Sequence, residues 1–271
     1  MLGKKELETQ KTYDWVFDHT KFSDGLWPIT SSTEWELKEK CGLDKQDFKG
    51  KTVLDAGCGY GRIVEFIARA GAKKSVGIDL TPSALEQARG RTKDLDNIDL
   101  IFESIFDHKG KYDIVICKGV LMHTKDPKLA LEKLCDMVGK GGTLSLWVYE
   151  YQNWLKRALT VGLRVFTVRM NKWWLWKLSC FMGHMARNRI IGKPFKAILR
   201  VDSDYGSVGN FDTFSMPYLA EFTFDQIEEW LKMNNFIITK KNILTENEGF
   251  VRKVNGQYGG GFGVLAKRVG L

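Results

Sequence analysis

Paired cysteines are missing from this sequence. Its five cysteines, Cys41, Cys58, Cys117, Cys135 and Cys180, are odd in number, widely spaced and without a C-x-x-C pair. That pattern argues against a disulfide framework or a zinc site and predicts a protein of the reducing cytoplasm. Long apolar runs are absent as well: no stretch approaches the roughly 18 uncharged apolar residues of a membrane span. The opening MLGKKELETQKTYDW is charged and has no apolar h-region, so no secretory signal is expected. There is no internal repeat or low-complexity segment. With 44% hydrophobic and 27% charged residues, the composition excludes a disordered or collagen-like chain.

Another absence is local. Residues 151–200 contain no Asp or Glu, yet they carry eleven basic side chains: Lys156, Arg157, Arg164, Arg169, Lys172, Lys177, Arg187, Arg189, Lys193, Lys196 and Arg200. The whole chain of 271 residues has 41 Lys+Arg against 33 Asp+Glu, so outside this block 30 basic residues face 33 acidic ones. The net charge of +8 therefore belongs to one segment of a slightly acidic body. Four of the nine tryptophans, Trp154, Trp173, Trp174 and Trp176, lie in the same block.

Along the chain, residues 1–50 read as helices and loops in which Trp15, Trp27 and Trp35 are spaced through a polar background. From Lys51 short apolar strands alternate with helical stretches. Strands are expected at Thr52–Ala56, Ser75–Ile78, Asp99–Phe102, Tyr112–Cys117 and Thr143–Val148. Helices are expected at Arg62–Ala70, at Ser83–Arg89 behind Pro82, and at Pro127–Val138, the last stopped by Gly139, Gly141 and Gly142. After the basic block come a helix over Thr223–Asn234, with Thr223 as its N-cap, and strands over Phe236–Ile243 and Phe262–Lys267. This alternation in units of roughly 25 residues predicts an α/β fold with a parallel sheet, into which the basic block is inserted.

Glycines Gly57, Gly59 and Gly61 lie between a strand and a helix, where the backbone must turn tightly and approach a ligand without Cβ interference. Asp79 ends the next strand, at the place from which a carboxylate can accept both hydroxyls of a ribose. No G-K-[ST] follows the loop, which disfavours ATP and GTP. The last glycine of a G-x-G-x-x-G fingerprint would fall on Arg62, so NAD fits poorly. A cationic nucleoside without phosphate remains, and Asp55 at the loop start suits it.

The stretch VLDAGCGYG resembles motif I of the class I S-adenosylmethionine-dependent methyltransferases. VGIDLTPSALEQAR (76–89), YDIVICKGVLMHTKDP (112–127) and VGKGGTL (138–144) follow in the family's order and spacing, so the resemblance covers about residues 50–150. It looks most like the small-molecule, quinone-biosynthesis-type group, which has a similar L-x-H-x-x-D-P after its fourth strand. The resemblance implies a Rossmann-like, seven-stranded, mostly parallel sheet with helices on both faces and an inserted helical cap. It implies S-adenosylmethionine as cofactor and no metal. Gly57, Gly59 and Gly61 would line the methionine moiety, with Cys58 a small packing residue of the same loop. Asp55 would lie near the amino group, and the Cys117 carbonyl would take the ammonium. Asp79, with Leu80 beside it, would hold the ribose. Where the family usually has an aspartate beside the adenine, this chain reads Glu103-Ser104-Ile105; Ser104 is favoured as the acceptor, with Glu103 as the alternative.

Methyl transfer needs a base only when the nucleophile carries a proton. His123 lies just past the fourth strand and either serves as that base or orders its own loop. His19 and His184 have no motif around them, and His108 is expected in a solvated loop. Tyr13 and Trp15 in an N-terminal lid, Tyr151 at the start of the block, and Asp212 and Tyr218 before the last helix are candidate contacts to the acceptor. Within the block, Asn153, Arg157, Thr160, Arg164, Thr167 and Asn171 form a polar stripe at helical spacing on an otherwise apolar helix. The block is either a cap with solvated basic residues, a surface for anionic lipid, or, ranked below these, a surface for RNA.

The expectation is a single domain: an N-terminal lid (1–50), a cofactor-binding core (51–150), a basic aromatic helical cap (151–210), and a C-terminal helix with two strands (211–271). It would methylate a small apolar or amphiphilic acceptor, at oxygen before nitrogen or carbon. The alternatives are a tRNA-modifying enzyme, an enzyme using a modified S-adenosylmethionine, and a non-catalytic binding module.

Overall fold

The computed structural model describes residues 3–19, 31–151, 153–201, 206–242 and 261–270. Trp27 and the end of the expected strand at Ile243 lie outside the described residues. Seven strands form one sheet: β1 (Thr52–Ala56), β2 (Lys74–Asp79), β3 (Ile98–Phe102), β4 (Tyr112–Lys118), β5 (Val138–Tyr149), β6 (Phe236–Asn242) and β7 (Gly261–Arg268). Their order is β3-β2-β1-β4-β5-β7-β6; β1 to β5 run parallel, and β7 is antiparallel to both β5 and β6. The order reverses between β1 and β4, which opens a crevice at the carboxyl ends of these strands.

The pleat decides which residues meet which helices. In β1, Leu54 and Ala56 join the large cluster that contains Leu131 and Leu134 of α5 (Pro127–Met137) and Ile227 and Leu231 of α10 (Phe224–Met233). The alternate residue Val53 packs on the other face with Leu37 of α2 (Ser31–Cys41) and Phe66 and Ile67 of α3 (Arg62–Arg69). The central strands β1 and β4 are covered on both faces, so they read as apolar runs rather than as an alternation, whereas the edge strands β3 and β6 are partly exposed. α4 (Pro82–Arg91) closes the sheet beside α3, where Leu85 meets Val64 and Cys58.

Local signals set several ends. Asp126 accepts the Leu129 amide at 3.0 Å at the start of α5, and Thr223 accepts that of Gln226 at 3.2 Å at the start of α10. One boundary differs from expectation. Gly139, Gly141 and Gly142 do not separate α5 from a later strand; β5 begins at Val138 and contains them. Val138 pairs with Tyr112, and the register then shifts so that Thr143 pairs with Ile114. The glycines form this irregularity: Gly141 has φ +68°, and a Cβ on Gly142 would stand 2.8 Å from the Asp113 carbonyl oxygen.

The N-terminal segment divides in two. α2 packs on the sheet, its Glu36 paired with Arg62 at the start of α3 and with Lys118 (3.4 Å) at the end of β4. Of the described residues of this segment, those of α1 (Lys4–His19) lie over the crevice. Between β5 and α10 stand α6 (Trp154–Thr167), α7 (Lys172–Arg187), α8 (Gly192–Ile198) and α9 (Gly206–Ser215). Leu175 and Met182 of α7 pack with Phe211 and Phe214 of α9 and with Val16 of α1, forming a separate small core.

The middle of the polar stripe of α6 does not face solvent, whereas Asn153, Arg157 and Asn171 at its ends are exposed. Thr160, Arg164 and Thr167 are its buried residues. Arg164 donates to the carbonyl oxygens of Thr213 and Met216, and Thr167 donates to that of Phe214 at 2.8 Å. The last carbonyls of a helix have no partner within it, and a cation is favoured there. The end of α9 thus draws the polar face inward. Arg200 is also buried, paired with Glu221 at 2.6 Å. For these two residues the expected solvated cap is corrected.

Candidate active site

Backbone geometry at the β1–α3 turn begins the site. Gly57 adopts φ +85°, and a Cβ there would lie 2.2 Å from Cγ2 of Val120. Gly61 adopts φ +79°, and its Cβ would meet that of Ala88 at 2.8 Å, so it sets the approach of α4. The turn is tied across to β2: the amides of Gly57 and Cys58 donate to the Ile78 carbonyl, and that of Gly59 to Asp79 Oδ2 at 2.8 Å. Asp79 Oδ1 accepts the Thr81 amide at 2.8 Å. Burial raises the Asp79 carboxyl while these donors oppose the rise. The Thr81 hydroxyl and the Leu80 amide also lower it.

Beside this turn lies a cleft with a volume of about 240 Å³. Gly57, Gly59, Asp79, Leu80, Glu103, Ser104 and Ile105 form part of its wall, as do Lys118, Gly119 and Val120 after β4. α1 supplies Glu6, Gln10, Tyr13 and Phe17, a 4-3-4 spacing that places them along one side of a helix. Asp14 fastens this helix by accepting from the Ser83 hydroxyl at 2.8 Å, and Gln87 donates to the Phe17 carbonyl at 2.8 Å.

At one end of the wall, Tyr13 and His123 meet two residues that stand behind them. Asp212 accepts from the hydroxyls of Tyr13 and Tyr149, each at 2.7 Å, and its Oδ2 lies 3.0 Å from Nε2 of His123. Nδ1 of His123 lies 3.0 Å from the Tyr218 carbonyl oxygen. Both ring nitrogens therefore face acceptors. Burial alone would raise the Asp212 carboxyl, but the His123 charge and hydrogen bond, with the two phenols, hold it below its ordinary value. Burial and Asp212 together push the Tyr13 phenol well up.

Asp55 is placed differently from the glycines. It points from β1 beneath the loop, 2% exposed and away from the cleft wall, with its buried Oδ2 unpartnered. Burial raises its carboxyl to about 7; Asp79 adds to the rise, and Lys118 and Arg62 oppose it. Cys58 packs with Val64 and Leu85, and Cys117 lies in the main core, its thiol pushed up by burial to about 12. Neither forms the cleft wall. Gly61 also lies off the wall, in its packing role against α4.

Of the expected acceptor contacts, the structure brings Tyr13 to the cleft and Asp212 behind it. Trp15 instead stacks on Phe211 at 5.4 Å between ring centroids, joining α1 to the cap core. The Tyr151 ring lies under Arg157 at 5.5 Å, away from the cleft wall. Tyr218 contributes its carbonyl to His123, and its ring lies under Lys5. His108 is corrected outright. It is buried, not solvated, with Nδ1 2.5 Å from Glu103 Oε2 and Nε2 2.8 Å from the Tyr112 hydroxyl. It orients Glu103 at the cleft edge. The Ser104 hydroxyl oxygen accepts the Phe106 amide at 3.2 Å.

The comparisons with known proteins agree with this geometry. Residues 47–181 match the model of a methyltransferase-domain family. The chain belongs to the class I S-adenosylmethionine-dependent methyltransferases. A ubiquinone biosynthesis O-methyltransferase of Erwinia tasmaniensis is 36% identical over 98 residues, 34% of this chain and 40% of the relative. A putative protein N5-glutamine methyltransferase of Methanocaldococcus jannaschii is 33% identical over 125 residues, 43% of this chain and 62% of the relative. The matched segment thus spans about two fifths of the ubiquinone relative's length. Among solved structures, the magnesium protoporphyrin IX methyltransferase of Synechocystis PCC 6803 with bound SAH superposes with TM-score 0.53 at 15% identity, covering 99% of this chain and 89% of that one. A putative S-adenosylmethionine-dependent methyltransferase of Listeria monocytogenes gives TM-score 0.55 at 21% identity, covering 89% and 100%. These likenesses are of fold. In this methyltransferase, Tyr149 and Lys118 were not anticipated, nor were Glu6, Gln10 and Phe17 beside the expected Tyr13 on the cleft side of α1. The spacing of residues 6, 10, 13 and 17 carried a signal for α1, whereas nothing local announces Tyr149.

Proposed function

We propose that this methyltransferase binds S-adenosylmethionine in the cleft and transfers its methyl group to an oxygen of a small apolar or amphiphilic acceptor. The residues fit the cofactor. Asp79 stands on the cleft wall where a ribose needs an acceptor, Gly57 leaves room that a Cβ would fill against Val120, and the unpartnered Oδ2 of Asp55 beneath the loop favours a cationic ligand nearby. The Glu103 carboxylate suits an adenine amino donor, and the Ser104 hydroxyl can donate to a ring nitrogen. Bound there, the cofactor supplies an electrophilic methyl on a sulfonium.

The observation that carries the choice of oxygen is the part-buried cluster in which Tyr13 and His123 on the cleft wall meet Asp212 and Tyr149 behind it. An acceptor hydroxyl loses its proton as its oxygen forms the new bond to carbon, and a positioned group must take that proton. Asp212, held as a carboxylate by its three donors, is the cluster's proton sink: the Tyr13 hydroxyl can pass it a proton while its oxygen accepts the one leaving the acceptor, and His123, both of whose ring nitrogens face acceptors, holds Asp212 in place. The apolar side chains Phe106 and Val120 on the cleft wall suit an apolar acceptor body.

A panel of phenolic, carboxylic and amine acceptors, assayed with labelled cofactor, tests the proposal. His123→Ala should lower turnover on a hydroxyl acceptor by roughly a hundred-fold or more while leaving cofactor affinity nearly intact. Asp79→Ala should instead weaken cofactor binding by about 1–3 kcal/mol, the scale of lost charge-assisted hydrogen bonds. Cofactor binding without transfer to any acceptor would favour a binding module. Wild-type turnover in His123→Ala would return His123 to a structural role.

A further inference from the structure

The outer surface of the cap is apolar where the rest of the domain is not. Because α6 turns Thr160, Arg164 and Thr167 inward, its apolar residues are left outside: Trp154 is 73% exposed, Phe166 75%, and Leu155, Leu159, Val161 and Val165 are exposed with them. α7 faces the cap core through Leu175 and Met182 and leaves Trp173, Trp174 and Phe181 outside. Ile190 follows at 85%. Among the described residues nothing covers these side chains. A monomer in water rarely leaves so much contiguous apolar surface without a partner.

The charge around this surface has one sign. Arg157, Arg169, Lys177, Arg189 and Lys193 are exposed among the apolar residues, and no acid lies anywhere in 151–200. Lys177 stands over the rings of Trp173 and Trp174 at 5.3 and 4.8 Å. No helix among the described residues is long and apolar enough to cross a membrane, so burial of this surface in lipid must be shallow. A second copy of the chain fits poorly, because docking like faces would oppose cation to cation. RNA would neutralise the cations but leave Leu155, Leu159, Val161 and Val165 facing phosphates and sugars. An anionic bilayer answers both features: headgroups pair with Lys and Arg, and the acyl boundary accepts Trp, Phe and the aliphatic chains.

We infer that the inverted helix α6 and the outer face of α7 dock the enzyme on an anionic membrane surface. Trp154, Phe166 and Trp174 enter the interface, and Arg157, Lys177 and Lys193 lie at headgroup level. The buried stripe of α6 is what makes this possible, since it anchors the helix through hydrogen bonds and frees every apolar residue for lipid.

Flotation of the full chain with vesicles tests this. The protein should float with phosphatidylcholine vesicles containing phosphatidylserine, much less with phosphatidylcholine alone, and the bound fraction should fall as salt rises. Replacing Trp154, Phe166 and Trp174 together by Ser should lower partitioning at least about ten-fold. Arg157→Gln and Lys193→Gln should each lower it about five-fold, the value of one cation near an anionic leaflet. These outward side chains can be replaced without touching the core, so circular dichroism should be unchanged. Should the triple variant fold poorly, quenching of the parent's tryptophan emission by brominated acyl chains decides instead. The inference is overturned by absence of flotation with anionic vesicles, by absence of that quenching, or by flotation that a folded triple variant retains. Salt-sensitive RNA binding without vesicle binding, or self-association abolished by the triple variant, overturns it equally.

Discussion

α3 and α6 are both amphipathic by sequence, and they bury opposite kinds of face. α3 sinks Ile63, Val64, Phe66 and Ile67 into the sheet; its buried charges are paired, Arg62 with Glu36, and Glu65 with Arg69 at 3.0 Å and Arg91 at 3.4 Å. α6 sinks Thr160, Arg164 and Thr167 and leaves its apolar residues outside. The difference lies in what each helix meets. α3 meets a pleated apolar surface, where burial removes hydrocarbon from water. α6 meets the carbonyl end of α9, where the unpaired oxygens cost more than the exposed hydrocarbon gains. Amphipathicity identifies two faces; the neighbour chooses between them.

The largest effect on this contrast should come from Arg164→Met. It removes a buried charged donor from two carbonyls of the α9 end and should cost about 2 kcal/mol in urea unfolding. A neutral result would mean that α6 is held by something other than its stripe. On the core side the contrast can be read by pH. Burial raises the folded Asp55 carboxyl from its ordinary 3.8 to about 7, so the folded chain keeps a proton that the unfolded chain has released between these values. Stability should therefore fall as pH rises from about 4 to about 7 and level off above, by up to about 1.4 kcal/mol per unit. Ionisation over the same upper range should tighten binding of a cationic cofactor. Asp55→Asn should remove both trends; a pH dependence that survives it assigns the titration elsewhere. The smallest effect should come from Phe166→Ser on the outer face of α6, within about 0.5 kcal/mol by the same unfolding measurement. A loss approaching that of Arg164→Met would show that the apolar face is packed after all.

Much of the cofactor side was legible in the sequence because its chemistry is local. A strand, three glycines and a helix must occur together within a few residues, and Asp79 follows at the end of the next strand. The acceptor side was legible only in part. His123 and Asp212 lie 89 residues apart, and Tyr149 is 63 from Asp212. No periodicity links them, because the contact exists only once the cap has folded back over β5. Trp15 and Tyr151 were aromatic and near the expected lid and cap, but proximity in sequence does not reveal which rings pack and which reach a ligand. His108 lay among charged neighbours that suggested solvent, whereas its partners Glu103 and Tyr112 drew it inside. The glycines 139, 141 and 142 signalled a break in regularity, and that break is an irregularity in β5 rather than the end of α5.

By itself the sequence determined the sheet, the glycine turn and the concentration of positive charge in one insertion, since each rests on residues close together in the chain. Tertiary structure alone decided that Asp55 lies under the loop, that Asp212 gathers Tyr13, Tyr149 and His123, and that the cap wears its hydrocarbon outside. The physical reason is common to all three. A side chain's partners are set by which polar groups must be satisfied once water is excluded, and those groups are supplied by distant segments.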